Sequence, residues 1–218
     1  MKELVVNGIM NNITKYYDYD NTKISEIKYG IESLYLTITK TIIIFILAIL
    51  LNITKELMLL FVFYSLIRLS GFGVHAKKSW HCWVTSLITF TGIPLLIKYI
   101  FLNETVIIIS YTIFTLLLLM YAPADTEKRP LINKKKRSIY KVLTILIAIS
   151  YLIYTLINKE NTIIINTLYF STLLETILVL PCTYKLFGVK YKNYMNYKKK
   201  GGNLWNYSLL LLLLSEHS

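Results

Sequence analysis

The sequence is poor in charged residues and in cysteine, and each shortage excludes a class of protein. Charged side chains make up 17% of the 218 residues, against about 25% in ordinary soluble domains. Two cysteines are present, which is too few for a disulfide framework, so we expect free thiols. Acidic residues are scarcer than basic ones, with 12 Asp and Glu against 24 Lys and Arg and a net charge of +12. The hydrophobic content of 55% excludes a disordered chain.

Long apolar runs explain this composition better than a nucleic-acid partner does. Mean hydropathy is +0.53, and a soluble domain of this size has too little interior to bury runs such as residues 41–54. Apolar stretches occur at roughly 34–54, 56–70, 83–102, 105–122, 140–157 and 162–181. A backbone that crosses lipid must satisfy its own hydrogen bonds, so these stretches are predicted to be helices. We therefore predict an all-α, polytopic integral membrane protein with about six transmembrane helices and no nucleic-acid partner.

The predicted organisation is a single membrane-embedded domain over residues 1–218, with the lipid bilayer as a partner. Residues 1–33 are expected to form an amphipathic arm of one or two surface helices, without the apolar core of a signal peptide. Residues 34–181 are the predicted transmembrane core, and residues 182–218 a basic tail. Alternate connections carry 21 and 3 basic residues. The positive-inside rule then predicts that the rich side, with both termini, is cytoplasmic.

A histidine and a cysteine lie close together between the second and third apolar stretches. Cysteine attacks carbonyls as its thiolate, which a nearby histidine can generate or stabilise. His75 and Cys82 are the natural pair, but in one straight helix they would lie about 10 Å apart along the axis. The pairing therefore requires a re-entrant or broken segment, for which Gly71 and Gly73 are suitably placed. Two alternatives stay open: an inert or lipidated Cys82, and His81 as the base.

Three further residues are candidate supporting groups. Arg68 either reaches the lipid headgroups or binds a substrate carboxylate or an oxyanion. Asp125 either orients His75 or caps a helix that follows it. Glu175 is a carboxylate inside an apolar stretch, where ionisable groups are costly and usually functional. It has three possible roles: a contact with Lys40, a hydrogen bond within the bundle, or a contact with a bound peptide.

A basic cluster follows the fourth apolar stretch and includes Lys134, Lys135, Lys136 and Arg137. Such a cluster is usually a topology signal that also attracts anionic lipid. Its alternative role is to steer the acidic end of a substrate towards the cysteine. No metal or cofactor is expected, because the histidines and the cysteine of residues 75–82 match no zinc spacing.

Two motifs resemble those of the accessory gene regulator protein B (AgrB) family of Gram-positive bacteria. The residues that carry the resemblance are Arg68, Gly73-Val-His75-Ala76, Cys82 seven positions after the histidine, and then Ala-Pro-Ala-Asp-Thr-Glu-Lys-Arg-Pro at 122–130. The resemblance covers roughly residues 1–195, since length, span count and the positions of both motifs agree. One departure is Phe72, which separates two glycines that are often adjacent in the family.

The resemblance implies a cysteine endopeptidase of the bacterial cell membrane that matures a quorum-sensing propeptide of the AgrD type. It implies Cys82 as the nucleophile and His75 as its base, both at the cytoplasmic face, with Arg68 and Gly73 in support. The implied route passes through a thioester on Cys82 to a cyclic thiolactone, and the implied assembly is a homodimer. The rival classes are a peptide transporter or export component and a non-enzymatic, peptide-binding membrane adaptor.

Overall fold

The computed structural model describes residues 2–17, 20–74, 79–126, 130–158 and 160–195, and these residues form a bundle of helices. In chain order the helices are α1 (Lys2–Tyr16), α2 (Asn21–Leu50), α3 (Thr54–Gly71), α4 (Ser79–Tyr99), α5 (Glu104–Tyr121), α6 (Lys134–Ile157), α7 (Thr162–Val179) and α8 (Pro181–Leu186). Each of the six apolar stretches corresponds mainly to one helix, in order α2 to α7. The prediction of an all-α polytopic membrane protein is confirmed.

Five of the described helices are long and apolar enough to cross a membrane: α2, α4, α5, α6 and α7. The second apolar stretch forms α3, which differs because Lys55, Glu56 and Arg68 place three charges in its 18 residues. An α-helix of 18 residues is about 27 Å long, close to the thickness of the hydrocarbon core. The charges of α3, rather than its length, therefore separate it from the other five.

The N-terminal arm consists of one separate helix and the beginning of a second. α1 buries Val6 and Met10, and Lys2 of α1 forms a salt bridge of 3.0 Å with Glu32 of α2. α2 continues without a break to Leu50, through the position where the transmembrane core was expected to begin. A helix of 30 residues is about 45 Å long, so α2 is longer than the hydrocarbon core and extends beyond it.

α7 is the central helix of the bundle, and it packs against α3, α4, α5 and α6. Its polar residues are buried along with its apolar ones. The hydroxyl groups of Thr167, Thr172 and Thr176 each donate to the carbonyl oxygen four residues earlier. These bonds satisfy the hydroxyls within the helix itself. α7 can therefore carry a polar stripe through the centre of an apolar bundle.

A second, smaller core joins α2, α3 and α4. Phe61 of α3 lies between Phe45 of α2 and Phe90 of α4, with ring centroids 6.0 and 4.7 Å apart. Ile44 and Ala48 of α2 are buried in the same cluster. This packing holds α2 beside α4. It brings the part of α2 around Lys40 next to the first two turns of α4.

Candidate functional site

Cys82 lies in the first turn of α4, where its thiol is half-buried and free of any disulfide. The ammonium group of Lys40, which extends from α2, lies 3.7 Å from the Cys82 sulfur. The same ammonium donates a hydrogen bond of 3.1 Å to the hydroxyl oxygen of Ser86. Cys82 and Ser86 are four residues apart and share one face of α4. The site is thus a thiol and a hydroxyl on one helix, both in contact with a cation from another.

His75, the predicted base, lies outside the described residues, so its pairing with Cys82 stays a prediction. The alternative base, His81, is half-buried, and its ring packs against that of Trp80 with centroids 4.0 Å apart. Before His75 the chain leaves the helical conformation after Gly71 and is non-helical from Phe72 to Val74. The break that the pairing requires between His75 and Cys82 stays a prediction, because residues 75–78 lie outside the described part of the chain.

The non-helical segment before His75 is held by hydrogen bonds to two other parts of the chain. The Gly73 N–H donates to the Ala124 carbonyl oxygen at 2.8 Å, and the Ala124 N–H donates to the Gly71 carbonyl oxygen at 3.0 Å. The Val74 N–H donates to the Leu178 carbonyl oxygen at 3.0 Å. The two motifs identified in the sequence are thus in direct contact, through a short parallel bridge between Phe72 and Ala124.

Arg68 and Glu175 form a salt bridge beneath this segment. Arg68 Nη1 lies 3.4 Å from Glu175 Oε2, and the Glu175 side chain is fully buried. Arg68 Nη2 also donates a hydrogen bond of 3.0 Å to the Val74 carbonyl oxygen. The structure therefore selects the bundle contact for Glu175, and the ammonium of Lys40 lies against Cys82 and Ser86 instead. Arg68 points into the protein rather than to the lipid headgroups.

Glycine is required at both ends of the bend. A methyl group added to Gly71 would overlap the carboxyl group of Glu175. Gly73 has a φ angle of +95°, and a methyl group there would overlap Arg68 Nη1 and lie 2.8 Å from the Leu178 carbonyl oxygen. Positive φ angles are costly for residues with a Cβ atom. The Gly73 backbone thus lets the chain pass between α3 and α7.

Asp125 binds the C-terminal segment rather than a helix that follows it. Its carboxylate accepts hydrogen bonds from the backbone N–H groups of Asn193, at 3.0 Å, and Tyr194, at 2.7 Å. The expected helix cap is wrong, because α6 begins at Lys134 and its cap is Asn133. Burial raises the pKa of the Asp125 carboxyl, while these backbone hydrogen bonds act in the opposite direction. A role in orienting His75 stays a prediction.

The predicted basic cluster consists of two kinds of side chain. Lys134, Lys135 and Lys136 form the exposed first turn of α6. Arg137 is half-buried, and its guanidinium stacks on the Tyr194 ring at 3.7 Å from the centroid. The three lysines are free to attract an anionic partner, whereas Arg137 helps to hold the C-terminal segment on the bundle.

Lys40 and Ser86 were not among the site residues predicted from the sequence. Lys40 had a signal, because it is a charged residue in an apolar stretch, but that signal pointed only to Glu175 as its partner. Ser86 had none, since a serine in a transmembrane helix is ordinary. Their relation to Cys82 depends on the packing of α2 against α4, which the order of residues along the chain does not specify.

These features define a class of protein: an all-α membrane protein with a helix-borne thiol, a paired cation and a glycine-containing bend held by a buried ion pair. The profile of the family Accessory gene regulator B (AgrB) matches residues 5–179. The chain belongs to the accessory gene regulator B family. It therefore has an accessory gene regulator role, in quorum sensing, and it is a transmembrane protein.

Several relatives match over most of their length. An AgrB-like protein of Clostridium acetobutylicum is 32% identical over 187 residues, which are 86% of this chain and 89% of that protein. An AgrB-like protein of Listeria monocytogenes is 26% identical over 177 residues, 79% of this chain and 84% of the relative. The accessory gene regulator protein B of Staphylococcus aureus is 30% identical over 170 residues, 78% and 88% of the two chains. No solved structure matches the chain significantly.

Proposed function

We propose that this protein is a cysteine endopeptidase of the bacterial cell membrane that cleaves an AgrD-like quorum-sensing propeptide and promotes formation of a cyclic thiolactone. The observation that carries the proposal is the half-buried thiol of Cys82 with the Lys40 ammonium 3.7 Å from its sulfur. A structural cysteine in a core has no need of a cation, whereas a nucleophilic one reacts as the anion that a cation attracts.

The proposed reaction begins with transfer of the Cys82 thiol proton to His75. The sulfur then attacks the scissile carbonyl carbon, a carbon–sulfur bond forms, and the carbon–nitrogen bond breaks. His75 returns its proton to the departing amine, which is ordinary acid–base shuttling. A cysteine of the propeptide next attacks the thioester, and Cys82 is released as the thiol while the peptide closes into a thiolactone. Exchange between two thiols conserves the acyl bond energy that hydrolysis would release.

In this proposal the supporting residues either hold the segments around Cys82 in place or attract the propeptide. Arg68, Gly73 and Glu175 hold the segment that leads to His75, and Asp125 joins the second motif to the C-terminal segment. The exposed lysines 134–136 provide a positive surface that steers the acidic end of the propeptide. In the proposed orientation both termini and Cys82 are cytoplasmic, on the side where the positive charges lie.

The test is reconstitution of the purified protein in vesicles with its cognate propeptide, followed by mass spectrometry. The proposal predicts an acyl adduct on Cys82 and loss of cleavage in Cys82→Ala. Cys82→Ser is expected to cleave slowly without forming the thiolactone, because an ester exchanges poorly with a thiol. Cys182→Ala is the matched control, since Cys182 is an exposed free cysteine of α8, and it should retain full activity. Full cleavage by Cys82→Ala would refute the proposal and favour a transporter or an adaptor.

A further inference from the structure

Lys40 is an ionisable residue in the apolar part of α2. α2 continues for ten residues, or about 15 Å, from Lys40 to its end at Leu50. The residues over this distance are almost all apolar, and α2 is one of the helices that can cross a membrane. A charged group in such a position is costly unless it has a partner. The identity of the partner is therefore informative.

No carboxylate partners Lys40 among the residues that the structure describes. The salt bridges in that part of the chain join Lys2 to Glu32 and Arg68 to Glu175. The ammonium of Lys40 instead contacts the Cys82 sulfur at 3.7 Å and the Ser86 hydroxyl oxygen at 3.1 Å. A serine hydroxyl accepts a hydrogen bond but carries no charge. The thiol is the contacting group that can become an anion.

The position of Cys82 on its own helix also favours a negative charge on the sulfur. α4 begins at Ser79, so Cys82 lies near its N-terminal end, where the helix dipole favours negative charge. The Thr85 hydroxyl donates back to the carbonyl oxygens of His81 and Cys82, so it is not a competing donor to the sulfur. Ser86, one turn further along the same face, orients the ammonium towards the thiol.

We infer that Lys40 is a catalytic residue whose ammonium binds the Cys82 thiolate. The inference rests on the proposed function, and it assigns the electrostatic part of the chemistry to a residue outside both sequence motifs. Lys40 neither gains nor loses a proton during the reaction. The thiol proton passes to His75 and from there to the departing amine. The Lys40 ammonium stabilises the negative charge of the sulfur, first when the thiolate attacks and again when it leaves the thioester.

The experiment measures the reactivity of Cys82 without any substrate. The full chain carries Cys182→Ser, which leaves Cys82 as its sole cysteine, and the rate of alkylation by iodoacetamide is followed by mass spectrometry at neutral pH. Iodoacetamide is uncharged, so Lys40 does not attract the reagent itself. Lys40→Met, which keeps the length of the side chain, should react at least about tenfold more slowly, because the attacking thiolate loses the cation in contact with it. Lys40→Arg should retain most of the rate.

A matched control uses Lys98, which lies in the last turn of α4 and donates to the Asn52 carbonyl oxygen at 2.6 Å. Lys98→Met removes the same charge at the other end of the helix, and its alkylation rate should equal that of the parent. Lys40→Met removes a charge from apolar surroundings, so we expect it to fold, and equal thermal unfolding midpoints would verify this. An unchanged rate in Lys40→Met, or an equally slow rate in Lys40→Arg, would overturn the inference.

Propeptide cleavage by the same variants separates this inference from the proposed function. We expect Lys40→Met to lower kcat about tenfold or more with little change in KM, because the charge acts on the sulfur rather than on peptide binding. Normal cleavage and alkylation by Lys40→Met would refute the role of Lys40 and leave the endopeptidase intact. Absence of cleavage by the wild-type protein would refute the endopeptidase, and with it the catalytic role of Lys40, even if the alkylation rates depended on that residue.

Discussion

Replacing Arg68 and replacing Glu175, which form an ion pair, should lower the free energy of unfolding by different amounts. The charged atoms lie 3.4 Å apart, with Glu175 fully buried and 17% of the Arg68 side chain exposed. At an effective dielectric constant of about 20 the attraction is about 5 kcal/mol. This value is an upper bound, because both ions lose hydration and solvent reaches Arg68.

The asymmetry follows from which charge is left without a partner. Arg68→Gln leaves a carboxylate in a dry site, and we expect a loss of about 3 to 5 kcal/mol in the free energy of unfolding. Glu175→Gln leaves a guanidinium that is already partly solvated and still bonded to the Val74 carbonyl oxygen. Its cost should be about 1 to 3 kcal/mol. The double variant should cost less than the sum of the two by about 2 kcal/mol or more.

Thermal unfolding of the purified protein in detergent, followed by circular dichroism, measures these differences. At about 2 to 4 °C per kcal/mol for a chain of this size, Arg68→Gln should lower the Tm by about 6 to 20 °C. The exposed pair Lys2–Glu32, with side chains 39% and 32% exposed, is the matched control. Lys2→Gln should cost less than about 1 kcal/mol, because solvent screens that pair. Additive single changes, or a larger loss for Glu175→Gln than for Arg68→Gln, would refute the reasoning.

Two further predictions concern the bend and the basic surface. Gly71→Ala and Gly73→Ala should each lower the Tm and the rate of propeptide cleavage. At Gly71 the added methyl group would overlap Glu175, and at Gly73 alanine would have to adopt a φ angle of +95°. Gly30→Ala, where nothing lies within 4 Å, should be neutral or stabilising by up to about 1 kcal/mol, and an equal loss there would contradict the packing explanation. Replacing lysines 134–136 by Gln, with Arg137 retained, should slow cleavage severalfold at low ionic strength and much less at about 1 M salt. Steady-state kinetics at several salt concentrations measure this, and a salt-independent loss would exclude steering.

The apolar stretches predicted the helices better than they predicted where each helix begins. The stretch expected from residue 34 lies in a helix that begins at Asn21, and the stretch expected from residue 140 lies in one that begins at Lys134. Hydropathy reports which residues prefer lipid, whereas a helix continues for as long as its backbone hydrogen bonds can form. In α6 the Asn133 side chain accepts from the first free N–H groups, so the helix extends into the polar lysines.

The cysteine could be found from the sequence, and so could the need for a bend before it. A thiol near a histidine is a chemical pattern, and glycines nine and eleven residues before the thiol are a conformational one. Neither pattern contains the cation. Lys40 precedes Cys82 by 42 residues and contacts it from a different helix. The pair can therefore be recognised in the tertiary structure but not from spacing along the chain.

The sequence by itself determined that this protein is a bundle of membrane helices, and it predicted the segment around Cys82 as the place of its chemistry. Those properties depend on residues that are close in sequence. In lipid each apolar stretch must form its own backbone hydrogen bonds, and each motif is a short continuous segment. The tertiary structure alone decided which charges meet: Lys40 with the thiol, and Arg68 with Glu175 across 107 residues. Helical periodicity specifies the face on which a side chain lies, but the packing of one helix against another selects its partner.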